Sequence, residues 1–165
     1  MIFDTKQSSA FFSESQSALM KEVLNRIVPA DNKYPGAGDL GLVEYLDRVL
    51  ADPIYLAQSP SGLRRLFTEG IRLIERRALD RHSVEFVALT PEQQTETLRY
   101  AEEISPQFFD ALVRHTYNGY YTNQRVLEIC GAPIRPPQPT GHRLAQGDLS
   151  SLESVKARGR AYRDA

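Results

Sequence analysis

The residues best suited to chemistry crowd one stretch of the chain: His115, Tyr117, Tyr120 and Tyr121, within HTYNGYY. An imidazole among phenols suggests general acid–base work, because histidine titrates near neutrality and a tyrosine hydroxyl can donate or accept a proton. Catalysis of that kind also needs a nucleophile–base pair and a third group to orient it. The neighbourhood offers no such set. His115 therefore reads as a helix residue at a packing seam, and the tyrosines as an aromatic surface.

Other candidates give way to plainer readings. Glu102 and Glu103 are adjacent, so on a helix they diverge and cannot close over one substrate. His82, His115 and His142 lie far apart in the chain, with no pair at helical ligand spacing, so no metal site is expected. The single cysteine, Cys130, excludes an internal disulfide and every thiolate-held cluster. It ends an apolar helical turn, where a buried structural thiol is the ordinary expectation. YPGAGD (34–39) contains GxG without the later glycine or preceding strand of a dinucleotide fingerprint, so it reads as a turn feeding a helix. Arg64, Arg65, Arg72, Arg76, Arg77 and Arg81 outnumber Glu69, Glu75 and Asp80 along one helix. A docking strip for an acidic partner is one reading; a solvated face with local ion pairs is the plainer one.

The elements that must position these residues are helical. Ser13 with Gln16 forms a capping box, and Leu19, Met20, Val23, Leu24, Ile27 and Val28 follow at helical spacing until Pro29. Leu42, Val43, Leu46, Val49 and Leu50 predict a second helix, closed by Asp52-Pro53. Ser59-Pro60 opens a third, with Leu63, Leu66, Phe67, Ile71 and Ile74 inward, fading near Leu79. After a short apolar connector (86–89), Thr90-Pro91-Glu92-Gln93 starts a fourth, carried by Leu98, Ala101 and Ile104. A fifth runs from about Pro106 to Tyr120 with Phe109, Leu112, Val113 and Thr116 on one side. Val126, Leu127 and Cys130 mark a last short helix ended by Gly131. No period-2 alternation persists, so the fold class is all-α: a compact bundle of five to six helices with an extended, proline-rich C-terminal tail.

Composition agrees with one core. Apolar residues are 41% and charged residues 25% of 165, which suits a single globular domain. Twenty basic against twenty-one acidic side chains give a net charge of −1, no electrostatic reason to expect nucleic acid or an anionic membrane. No apolar run approaches the roughly 18 residues of a membrane span. MIFDTKQSSAFFSES carries no basic n-region, apolar h-region or twin arginine, so the expectation is a cytoplasmic protein. A periplasmic location is the alternative if a twin-arginine leader has been removed or is supplied by a partner.

The character of the chain changes after Cys130, and the organisation expected is a helical domain at 1–130 and a tail at 131–165. The segment RPPQPTGH, with Arg135, Pro136, Pro137, Pro139 and His142, is preset for polyproline II geometry. Leu144, Leu149, Leu152, Val155 and Tyr162 add apolar anchors, and the spacing allows a short helix around 150–158. An aromatic cluster followed by a proline strap is a poor core but a good interface, since aromatic and arginine side chains are enriched as binding anchors. Ordering such a tail costs roughly 1–2 kcal/mol per residue in backbone entropy, which only a large contact offsets. The rival reading is a stand-alone helical adaptor, recognised through RPPQPTGH by a proline-reading domain.

Four segments in order, IVPADNKYPGAGDLGLVEYLDRVLA, FVALTPEQQTETL, FFDALVRHTYNGYYTN and GAPIRPPQPTGHRL, resemble the gluconate 2-dehydrogenase subunit 3 family. The likeness spans about residues 11 to 145. It implies the small, non-catalytic subunit of a flavin-dependent sugar, polyol or sugar-acid dehydrogenase of glucoside, glucose or gluconate type. The implied partner is a large subunit similar to the glucose–methanol–choline oxidoreductases, which carries FAD and oxidises the alcohol by hydride transfer. A cytochrome c or another acceptor takes the electrons. No cofactor is implied for this chain itself, and no catalytic residue carries over. What carries over is an interface: His115, Tyr117, Tyr120 and Tyr121, then Arg135, Pro136, Pro137, Pro139 and His142. In exported members the small subunit often bears the twin-arginine leader and escorts its folded partner; this chain departs from them in showing none.

Overall fold

Two reciprocal caps fix where helices begin. In the computed structural model the Ser13 hydroxyl accepts from the Gln16 N–H while the Gln16 side chain accepts from the Ser13 N–H, at 3.2 and 3.0 Å. Thr90 and Gln93 repeat the arrangement at 3.4 and 3.0 Å. Each box satisfies donors that a helix start leaves without partners. The structure describes residues 10–59, 62–132 and 150–159. The chain divides into two units, Met1–Ile134 and Arg135–Ala165.

The first unit is a compact helix bundle whose helices run α1 (Glu14–Ile27), α2 (Leu42–Ala51), α3 (Pro53–Gln58), α4 (Leu63–His82), α5 (Pro91–Ile104), α6 (Pro106–Tyr121) and α7 (Gln124–Cys130). No strand occurs among the described residues. In the second unit a 3-10 turn at Ser150–Leu152 leads into α8 (Glu153–Ala157), where the sequence allows a short helix. No helix of the described residues is long and apolar enough to cross a membrane.

α6 is the axis of the bundle, packing against α1, α2, α4 and α5. Its buried face is Phe108, Ala111, Leu112, His115, Thr116, Gly119 and Tyr120, a continuous stripe at helical spacing. This is rotated from the expected stripe: Phe109 and Val113 are only partly buried, and Phe108 takes the core position. The cause lies on α4. A Cβ at Gly70 would collide with the Phe108 ring, so the glycine is what lets that ring lie against α4. There Phe108 meets Phe67 edge-on, centroids 5.6 Å apart at 87°. Burying a side chain of this size contributes roughly 1.5–3 kcal/mol.

The glycines of YPGAGD serve packing rather than ligand binding. Gly38 N–H donates to Asn25 Oδ1 at 2.8 Å, and a Cβ there would strike the Lys21 carbonyl of α1. The 3-10 turn Ala37–Asp39 thus lies directly on α1, with Lys21–Asp39 paired at 3.1 Å beside it.

Three boundaries differ from expectation. Asp52 closes α2 but also caps a further helix: its carboxylate accepts from the Ile54 and Tyr55 N–H groups at 2.8 and 3.3 Å, starting α3. α3 fully buries no residue, so it left no apolar stripe to read. α4 begins at Leu63 behind Gly62 (φ 89°), not at Ser59-Pro60. Ile104, read as an apolar residue carrying α5, is 57% exposed at its end, while Leu79, where the α4 stripe is expected to fade, is 51% exposed.

Candidate functional site

The far end of α6 is riveted to the loop that follows α1. Tyr120 is buried, and its hydroxyl donates to the Pro35 carbonyl at 3.0 Å. Asn123 reaches the same region, donating from its side-chain amide to the Leu40 carbonyl at 3.0 Å. Its Oδ1 meanwhile accepts from the Arg125 N–H, capping α7. Gly119 lets α6 approach α2, since a Cβ there would come within 2.8 Å of the Tyr45 ring. Asp31 holds the loop's shape by accepting from Lys33 N–H and Tyr34 N–H, and these backbone donors keep its carboxyl below the usual range.

On this anchored platform two tyrosines stand in solvent. Tyr117 is 44% and Tyr121 58% exposed, one turn apart on α6, with ring centroids 6.0 Å apart and tilted by 31°. Tyr121 also meets the buried Tyr120 ring edge-on at 5.3 Å. The exposed pair is therefore backed by a fixed ring rather than hanging free. Beside it opens a hollow of about 340 Å³, lined by Val28, Pro29, Asp31, Tyr34, Tyr120, Tyr121 and Cys130.

The structure separates the four residues that the sequence groups together. Tyr117 and Tyr121 face outward, Tyr120 supports them from beneath, and His115 points into the core. The His115 ring lies between Tyr55 of α3 and Phe67 of α4, at centroid distances of 6.0 and 6.1 Å. Its Nδ1 has no hydrogen-bond partner, and burial, helped by the charge of Arg114, pulls its pKa below the ordinary value. Burial instead raises the pKa of Tyr120, with Tyr121 adding to the effect, so the phenol stays a hydrogen-bond donor. Arg135, Pro136, Pro137, Pro139 and His142 lie outside the described residues.

Cys130 corrects the expectation of a buried thiol: it is exposed on the last turn of α7, with Sγ 3.9 Å from the Tyr34 hydroxyl. The buried apolar residue of that helix is Val126. Among the described residues no group of three or more His, Cys, Asp or Glu side chains could hold a metal ion. The arginines of α4 find local partners in part: Arg65 with Glu69 at 3.6 Å, Arg81 with Glu96 at 3.7 Å, Arg77 over Tyr100 and Arg64 over Phe11.

Sequence reasoning missed Tyr34, Pro35 and Asn123, which shape this end of the bundle. Asn123 had a readable signal, a capping side chain just before the apolar turn at Val126. The Tyr120–Pro35 bond had none, because it spans two distant segments. Chemically the arrangement offers a fixed aromatic face for binding, with the imidazole enclosed away from it.

No curated protein and no solved structure matches the chain. The model of one family, gluconate 2-dehydrogenase subunit 3, matches residues 14–128, from the first residue of α1 into α7. That span holds the capped helices, the YPGAGD turn and the tyrosine face, and the chain belongs to the gluconate 2-dehydrogenase subunit 3 family.

Proposed function

We propose that this chain is the non-catalytic small subunit of an FAD-dependent dehydrogenase of the glucose–methanol–choline type, acting on a sugar, polyol or sugar acid. Its work is to bind, stabilise and help mature the large subunit, which holds the flavin and takes the hydride. The observation that carries the reading is the solvent-facing Tyr117–Tyr121 pair, held rigid by the Tyr120–Pro35 and Asn123–Leu40 bonds, in a chain of a dehydrogenase-subunit family. Rigid aromatic rings give up little conformational freedom on binding and so make efficient anchors. The proline-rich sequence from Arg135 to His142 supplies further candidate residues for recognising the same partner.

Expressing the large subunit with and without this chain tests the proposal. Alone, the large subunit is expected to aggregate or to purify with little flavin. Co-expression restores soluble, flavin-loaded protein that carries this chain in a stable complex. A large subunit that is soluble, flavin-loaded and fully active alone overturns the reading.

A further inference from the structure

A second apolar hollow opens at the other end of α1. It is floored by Leu19 and Phe86, both buried, and walled by Ala18, Leu79 and Val87, enclosing about 310 Å³. Two of its walls are open to solvent: Leu79, in the last turn of α4, is 51% exposed, and Val87 is 42% exposed. Apolar exposure gathered around one concavity marks a docking site, whereas single exposed residues need no explanation.

The hollow is separate from the tyrosine face. It touches α1 at Ser15, Ala18 and Leu19, in the first half of the helix, while the hollow beside Tyr121 reaches only Val28, just past the other end of α1. The two share no lining residue.

Charge says what would fill it. The ionisable side chains among its lining residues are Glu75 and Glu85, and neither forms an ion pair among the described residues. Arg72 and Arg76 lie on the same helix as Glu75 but do not line the hollow and pair with neither carboxylate. An apolar concavity flanked by two carboxylates that form no ion pair among the described residues favours an apolar anchor with cationic neighbours and repels an acidic one. The volume, at the lower end of the roughly 300–1,000 Å³ of ligand pockets, suits one or two large side chains rather than a cofactor.

The geometry points to this hollow as a docking site for a cationic amphipathic segment of a partner protein. A bulky apolar side chain seats on Leu19 and Phe86, and flanking Lys or Arg groups reach Glu75 and Glu85. Because it shares nothing with the tyrosine face, this surface stands or falls independently of the accessory role proposed above.

Two fluorescein-labelled helical peptides with one leucine pattern, carrying lysine or glutamate at every polar position, provide the test. Titrated by anisotropy onto the full chain, the lysine peptide is expected to bind at least about tenfold tighter than the glutamate peptide. Leu79→Ser, and separately the double change Glu75→Gln with Glu85→Gln, should each weaken it by about five- to tenfold. Tyr121→Ser should leave it unchanged, and circular dichroism checks that each variant remains folded. Equal binding of the two peptides overturns the proposal, as does undiminished binding to the double glutamine variant. Self-association of the chain that Leu79→Ser abolishes would assign the hollow to a second copy and also overturn it.

Discussion

The hydroxyl of Tyr120 donates to the carbonyl of Pro35 at 3.0 Å, joining positions 85 residues apart. That one bond ties the last turn of α6 to the loop after α1, and so sets the base on which Tyr117 and Tyr121 stand. Tyr120→Phe keeps the ring and its edge contact with Tyr121 but removes the donor. The expected loss is about 0.5–1.5 kcal/mol, read as a lower urea midpoint with an unchanged slope. Amide exchange at residues 31–38 should accelerate more than exchange in α5, since the freed segment is local to the bond.

Gly70 offers a sharper test of the core. Any Cβ there meets the Phe108 ring, so Gly70→Ala should destabilise by about 1–3 kcal/mol despite the better helix propensity of alanine. Phe108→Leu in the same chain relieves the collision. A double-mutant cycle by urea denaturation should therefore show the pair less destabilised than the sum of the single changes. Simple additivity would mean that the two residues do not press on each other.

What the sequence disclosed here follows from what each feature depends on. Capping boxes are local, so Ser13–Gln16 and Thr90–Gln93 could be read directly, and the apolar period gave α1, α2, α5 and most of α4. α3 escaped because it is six residues long and only half-buries Tyr55 and Leu56, too little for an apolar period to show. The register of α6 escaped because Phe108 and Phe109 are equally apolar, and the choice between them is made by Gly70, far away in the chain. The candidate site was half legible. The tyrosines announced an aromatic surface, but which of them face water follows from the register of α6, with Tyr120 on the buried stripe and bonded to Pro35. Cys130 was misread since an apolar turn before it says nothing about which side of a short helix is covered.

The exposed tyrosines should matter to binding and little to folding. Tyr117→Ala and Tyr121→Ala leave the buried contacts of α6 in place, so each should change stability by no more than about 0.5 kcal/mol. If the pair anchors the dehydrogenase large subunit, each should weaken the complex by about tenfold or more, measured by calorimetry or by surface capture of the large subunit. A variant that binds as the parent does would move the interface elsewhere on the bundle.

His115 makes the stability of the bundle depend on pH. In the folded chain burial between Tyr55 and Phe67 lowers its pKa from 6.5, whereas in the unfolded chain the imidazole keeps its ordinary value. Below 6.5 the unfolded state therefore binds a proton that the folded state resists. Stability is fully present above that pH and falls as the pH drops toward the lowered native value. His115→Leu removes the titrating group and should flatten this part of the profile. Urea midpoints measured from about pH 7.5 to 5, above the main carboxylate range, isolate the effect as the difference between the two proteins. The difference should grow steadily toward acid. A constant offset across that window would mean that His115 takes up its proton as readily in the folded chain as in the unfolded one.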